Sequence, residues 1–443
     1  MPRGRWLLCL ALCTVVFAAP LVSASNDQQF PFELTAPGEG VAEITASAPG
    51  ASWGRPGAEA SVATVYLDGQ YNQDIVVDHG SQPWTYGVFL GSLRGGSHEL
   101  RIERNAKWSA PAAGLQVPEV HVRAIPPNSA DYLALAHAPV LYARADTLGH
   151  FSDVPLLMWY EVFPEGAGEV LQYSVVFSNE DAGTPTPALM ARWGRATDIE
   201  YVYRVRLEQG GHVTSETFQG FQHKDVRFRG RREGSHPFLL VATPNDVFAD
   251  TGASELQYRL LPVAADLSQH SREELMDRFP WTYHIMAEEL QREGKIRPFD
   301  VHAEEAVGDP RNYLYLEMDA ENKQTGLVAW VKLRNESKWY SSNGGNLGLA
   351  ISRSGWFRTT VELPPGTKEE SMEFVAIECE DMRTPVGFVD NPSAGTPESI
   401  LRSVSKAFLL DSDYRPGRNL IESHLPLMLH PGDMYTFVPL SGK

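Results

Sequence analysis

Period-two alternation of apolar and polar residues runs through most of this chain and restricts it to one fold class. SVATVYLD, QDIVVD, WTYGVFLGSL, HELRIER and PEVHVRA follow one another after residue 60, each ending at Gly, Asn or Pro. That is the pattern of half-buried strands joined by turns. A second block holds PVLYAR, PLLMWYEVF, VLQYSVVFS, DIEYVYRVRL, TSETFQGF, DVRFRG, PFLLVATP and LQYRLLPV, and a third begins near YLYLEMD and GLVAWVKLRN. In GSLRGGSHELRIER a Gly-Gly pair between two strands signals a hairpin.

One stretch has helical spacing, SREELMDRFPWTYHIMAEELQREGK. Leu275, Phe279, Tyr283, Met286 and Leu290 form its apolar stripe, Ser271 and Glu274 a capping box, and Pro280 divides or kinks it. The chain therefore reads as mainly β, with tandem antiparallel β-sandwich domains and one long connecting helix. The boundaries expected are 26–127 and 128–268 for two sandwiches, 269–295 for the helical connector and 296–443 for a third sandwich.

Residues 1–25 have the form of a Sec-type signal peptide. Arg3 and Arg5 precede an apolar run from Leu7 to Ala19, and Val22-Ser23-Ala24 offers a small-x-small cleavage site. No later apolar run approaches the ~20 residues of a spanning helix, so the expected location is secreted or periplasmic. Cys9 and Cys13 leave with the leader and Cys379 stays alone, so no internal disulfide is available and core burial must hold each domain. The formal net charge of −18 argues against nucleic acid or anionic lipid as a general partner and permits divalent cations.

Several local patterns suggest chemistry. Gly50-Ala51-Ser52-Trp53-Gly54 fits G-x-S-x-G, but the nucleophile elbow needs a strand before it and a helix after it, and both flanks here are loop. Asp300, His302 and Glu304 would share one face of a strand at period two, a candidate ligand set that a solvated edge explains equally well. Cys379, among acidic neighbours in EFVAIECED, reads as core filler rather than a reactive thiolate.

ARWGRATDIEYVYRV, residues 191–205, is the most informative stretch. On a strand, Asp198, Glu200, Arg204 and Arg206 would take one face and Ile199, Tyr201, Tyr203, Val205 and Leu207 the core face. The acids then either line a solvent face with cross-strand charge pairs or bind a ligand.

The surroundings resemble known families. AHAPVLYARADTLGHFSDVP, LQYSVVFSNED, GRATDIE and HPFLLVATPND, in that order, resemble the vacuolar-protein-sorting-like β-sandwich family. More remotely, GRATDIE falls in register with the heptad GHRHDWE of the necrosis-and-ethylene-inducing-like proteins. The resemblance covers residues 134 to about 250. It implies that Asp181, Asp198 and Glu200 hold a divalent ion, and it matches His223 to a following His of the sorting-like family. Ca²⁺ or Mg²⁺ would suit such hard oxygen ligands. Arg195 and Thr197 replace the two His of the heptad and Ile199 its Trp, which leaves open a salt-bridged cluster in place of the metal.

Three functions follow from the sequence. The first is a non-catalytic binding or envelope-associated protein, offering a glycan, a protein or a small molecule the aromatic surface of its ten Trp and sixteen Tyr. The second is a metal-dependent hydrolase working at Asp181, Asp198, Glu200 and His223. The third is a degenerate membrane-active toxin-like protein, disfavoured by the negative charge.

Overall fold

The structure, a computed structural model, describes residues 28–180, 182–383, 396–423 and 426–440. The segment 1–25 expected to be a signal peptide and the predicted ligand Asp181 lie outside the described residues. Alternation translates into three successive pairs of sheets. In the first pair, Gln28–Leu34, Gly96–Arg104, Ser61–Leu67 and Gln70–Val77 form a four-stranded sheet against Trp84–Leu93, Gly38–Ser47 and Gln116–Ile125. Ile44, Val65, Leu90, Leu100 and Ile102 fill the space between them. The Gly-Gly pair does not make a hairpin. Trp84–Leu93 and Gly96–Arg104 belong to different sheets, so the glycines turn the corner from one layer to the other.

In the second pair, a six-stranded sheet runs Lys224–Arg227, His212–Gly220, Ile199–Glu208, Gly168–Phe177, Pro155–Glu165, Val263–Ala264. The opposing sheet contains Val140–Tyr142 lying parallel to His236–Val241, flanked by Gln257–Tyr258 and Arg232–Glu233. The third pair sets Gly355–Glu362, Tyr313–Lys323, Glu398–Leu409 and Leu427–Leu429 against Trp339–Ser341, Thr325–Leu333, Met372–Asp381 and Met434–Phe437. Cys379 is buried in this last core, donates to Ser399 Oγ at 3.5 Å, and burial pushes its thiol up.

Four short helices complete the described chain: α1 (Tyr132–Ala136), α2 (Thr186–Trp193), α3 (Glu274–Arg278) and α4 (Trp281–Arg292). The predicted long helix is broken at Phe279-Pro280, as Pro280 requires. Its capping box is not made. Ser271 Oγ donates instead to Glu317 Oε2 at 2.8 Å, a partner from the third sandwich. None of the described helices is long and apolar enough to cross a membrane.

Helix α4 is a wedge rather than a tether. Tyr283, Met286 and Leu290 pack with Trp159, Val176 and Ile199 of the second sandwich and Tyr313, Tyr315 and Phe408 of the third. Trp53, nearly fully buried, donates to Glu289 Oε2 at 2.6 Å, and the Arg292 guanidinium lies 4.9 Å from its ring centre. The G-x-S-x-G match is thus a loop that anchors the first sandwich on α4. Asp300, His302 and Glu304 are not on a strand. Asp300 has a left-handed backbone (φ 60°) and pairs with Lys338 at 3.1 Å, so period-two alignment does not apply to the three.

Candidate functional site

One extra residue determines how the acids of Ile199–Glu208 are presented. Tyr203 lies opposite Tyr173 and Tyr201 opposite Ser174, so Val202 is left over as a β-bulge. A one-residue slip exchanges the faces of a strand. Tyr203, Val205 and Leu207 enter the core of the second sandwich, whereas Ile199 packs on the opposite side against Met276 and Met286. Arg204 stacks over the Tyr201 ring at 4.0 Å, placing those two together on the outer face. Glu200 pairs with Val175, whose side chain is in the sandwich core. The single solvent face expected for Asp198, Glu200, Arg204 and Arg206 is therefore replaced. Asp198 is only 3% exposed and Glu200 points inward.

Helix α2 delivers Arg195 and Asp198 to this end of the sheet. It stops at Gly194, whose left-handed φ of 67° closes the last turn. A Cβ there would come within 2.6 Å of Arg358 Cγ, so glycine also makes room for the third sandwich. Arg195 Nε donates to Glu273 Oε1 at 3.1 Å, while its NH1 stands 3.6 Å from Asp198 Oδ1. Asp198 Oδ1 accepts from the Ile199 N–H at 2.8 Å, and its Oδ2 is buried without a hydrogen-bond partner. The salt bridge anticipated for Arg195 exists, but its guanidinium is divided between two acids.

Around Asp198 the side chains form a continuous hydrogen-bonded chain. Gln219 Nε2 donates to Glu200 Oε2 and reaches His223 Nδ1 at 3.0 Å. Asn245, in the amide orientation that satisfies both of its ends, accepts from His223 Nε2 at 2.9 Å and donates to Glu180 Oε1 at 2.9 Å. Glu180 Oε1 also accepts from the Thr184 N–H at 2.8 Å. These bonds make His223 the Nε2–H tautomer, with Nδ1 as the acceptor. His223 Nδ1 lies 3.6 Å from Glu200 Oε1. Of the predicted site residues, Asp198, Glu200 and His223 thus belong to one cluster, and Glu180 lies beside them.

Asp246, next to Asn245, was not anticipated. It is fully buried, and neither carboxylate oxygen has a hydrogen-bond partner. Burial raises it well above an ordinary Asp, and the charges of Asp153, Asp198 and Glu200 raise it further, opposed by Arg144. Burial and then Asp198 push Glu200 up to about 8 and Glu180 up to about 7. Burial likewise raises Asp198, against the pull of Arg195. Arg144 pairs with Asp153 at 2.8 Å. Buried acids with so few compensating cations either retain protons or bind a cation. Asp246 and Asp198 both carry carboxylate oxygens without a hydrogen-bond partner.

An open cavity of about 320 Å³ adjoins this chain, lined by Gly183, Phe221, His223, Pro244 and Asn245 among others. The Phe221 ring is 72% exposed. It sits at a turn where Gln222 and His223 both adopt left-handed φ, 58° and 54°, which brings the imidazole back over the strand ends. The signals for the missed residues were weak. Glu180 neighbours the predicted Asp181, and Thr243-Pro244-Asn245-Asp246 reads only as a turn after a strand.

Among the described residues, the group whose ligand atoms lie within 4.8 Å of one another, close enough to hold a metal ion, is a different one: His270, Glu274 and Glu317. Its charges are already balanced. Glu317 sits 3.2 Å from the fully buried Arg358, and Lys406 bonds Glu274 and lies 3.0 Å from Asp277. Burial alone would raise Glu317, but Arg358 leads a set of partners that holds it down at about 2.

No family model matches the chain, and no curated protein matches it. Solved structures give faint likenesses. NLPPya in complex with mannosamine is 12% identical, with 31% of this chain and 74% of that one covered and a TM-score of 0.23. A family two carbohydrate esterase from Clostridium thermocellum in complex with cellohexaose is 13% identical, covering 30% and 35%, with a TM-score of 0.16. This chain spans about a third of the esterase's length. Values this low carry no conclusion about family or activity.

Proposed function

We propose that this chain is an exported, non-catalytic binding protein whose middle sandwich holds a divalent cation, Ca²⁺ or Mg²⁺. Asp198, Glu200, Glu180 and Asp246 are the acids proposed to supply the oxygens. The observation that carries this reading is Asp246, a fully buried acid with both oxygens unpartnered and the charges of Asp153, Asp198 and Glu200 acting on it. His223 and Asn245 connect the acids to the adjacent cavity, where the exposed Phe221 offers a ring face on which a sugar ring could stack. Both ring nitrogens of His223 are engaged by amides. Neither is then free to act as a general base, which favours binding over hydrolysis.

The test is a glycan array probed with the full chain in Ca²⁺ and again in chelator. Retention that needs Ca²⁺ and falls at least tenfold in Phe221→Ala supports the reading. Silence on every glycan, or binding indifferent to both changes, would remove the glycan-binding part of it.

A further inference from the structure

A second cavity, of about 260 Å³, opens where the first sandwich, the second sandwich and the break between α3 and α4 meet. Its walls are mostly apolar: Val88 from the first sandwich, Leu157, Met158 and Leu261 from the second, and Phe279 from the helix break. Apolar cavities of about 150 Å³ already admit benzene, so there is room for one ring or a fused pair.

Three aromatic groups from two parts of the chain converge on it. The His79 ring stacks on Trp84 at 4.0 Å and 9°, and Trp281 of α4 lies 5.4 Å from His79 and 5.9 Å from Trp84. The polar groups among them are nearly all occupied. Tyr86 Oη donates to Asp78 Oδ1 at 2.8 Å and accepts from the Asp78 N–H at 3.1 Å. Asp78 Oδ1 also receives His79 Nδ1 at 2.7 Å. That bond places the proton on Nδ1 and leaves Nε2 as an acceptor. Nε2 is buried and has no partner among the described residues, and no other residue lining the cavity has such an unpartnered buried side-chain atom. Buried acceptors are ordinarily satisfied.

We infer that this cavity is a ligand site for a compact, uncharged aromatic molecule carrying one hydroxyl or N–H group, which donates to His79 Nε2 while its ring packs among Trp84 and Trp281. Aromatic rings add offset or edge-on contacts to simple burial. An anion is disfavoured by Asp78, whose carboxylate lies against His79. The site is separate from the acid cluster and does not depend on a cation there.

The test titrates p-cresol, toluene and benzoate calorimetrically into the full chain. p-Cresol should bind about tenfold more tightly than toluene, the worth of one buried hydrogen bond, and benzoate should give no saturable heat. His79→Leu should remove the difference between p-cresol and toluene, and Trp84→Ala should weaken both. If a variant fails to fold, the ¹⁵N shift of His79 Nε2 in the wild type replaces it and should move on adding p-cresol but not toluene. Absence of p-cresol binding, equal affinity for p-cresol and toluene, or an unmoved Nε2 signal would overturn the assignment.

Discussion

His223 Nδ1 stands 3.6 Å from Glu200 Oε1, and the same imidazole reaches Asn245 through its other nitrogen. Glu200 opens one strand, Asn245 closes the loop after another, and His223 sits on the turn between two more. The relationship makes the acids one electrically coupled group with a polar outlet to solvent.

Glu200 gives the cation-free protein an unusual pH dependence. Its folded pKa of about 8 lies above the ordinary carboxyl value, so between about pH 4.5 and about pH 8 the folded state holds a proton the unfolded state has lost. Stability must then fall as pH rises through that window, and level off above it. Glu180, at about 7, acts in the same direction. Urea unfolding in chelator should show a loss on the order of 5 kcal/mol across the window, and Glu200→Gln should flatten a large part of it.

Asp246→Asn should stabilise the cation-free protein at pH 8, against the usual sign for a buried substitution. It removes a charge that Asp153, Asp198 and Glu200 repel and leaves the side chain's size unchanged. A gain of about 1 kcal/mol in chelator is expected, together with loss of any stabilisation by Ca²⁺. Denaturation midpoints of both proteins, with and without Ca²⁺, check it.

Arg358 tests the balanced cluster between α3 and the third sandwich. It meets Asp277 through two part-buried bonds of 2.7 Å each and Glu317 through a buried one of 3.2 Å. Arg358→Ala strands both acids and should cost about 3–5 kcal/mol. Glu317, held at about 2 when folded, adds stability that is present above about pH 4.5 and lost as pH falls toward 2. Glu317→Gln should therefore shallow the acid limb of the unfolding curve.

Cys379 should be inert in the native state. Buried, with burial raising its thiol, it should react with a thiol-specific chromogenic reagent only at the rate of unfolding. Rapid labelling in native buffer would show that the third core opens there.

Much of the architecture is legible in the sequence because it rests on local periodicity. Alternation gives the sheets, Pro280 marks the break between α3 and α4, and the setting of Cys379 points to core. What is not legible depends on a single residue or on distance. The bulge at Val202 leaves no mark on composition, yet it turns Glu200 from the expected solvent face to the core side. Gln219, Asn245 and Asp246 join Glu200 only after three strands have folded back, so no local spacing reveals them. Ser52-Trp53 shows the converse: a recognisable motif whose Trp serves as an anchor for Glu289 and Arg292.

The most direct test of the cation site is calorimetric titration of Ca²⁺ into the full chain at pH 7 in two buffers of different ionisation enthalpy. Glu180 and Glu200 are raised to about 7 and about 8, so a bound ion must displace their protons. The wild type should give saturable heat that differs between the buffers, with net proton release, and Asp198→Asn should give neither. No heat with Ca²⁺, Mg²⁺ or Mn²⁺, or heat unchanged in Asp198→Asn, would contradict the site.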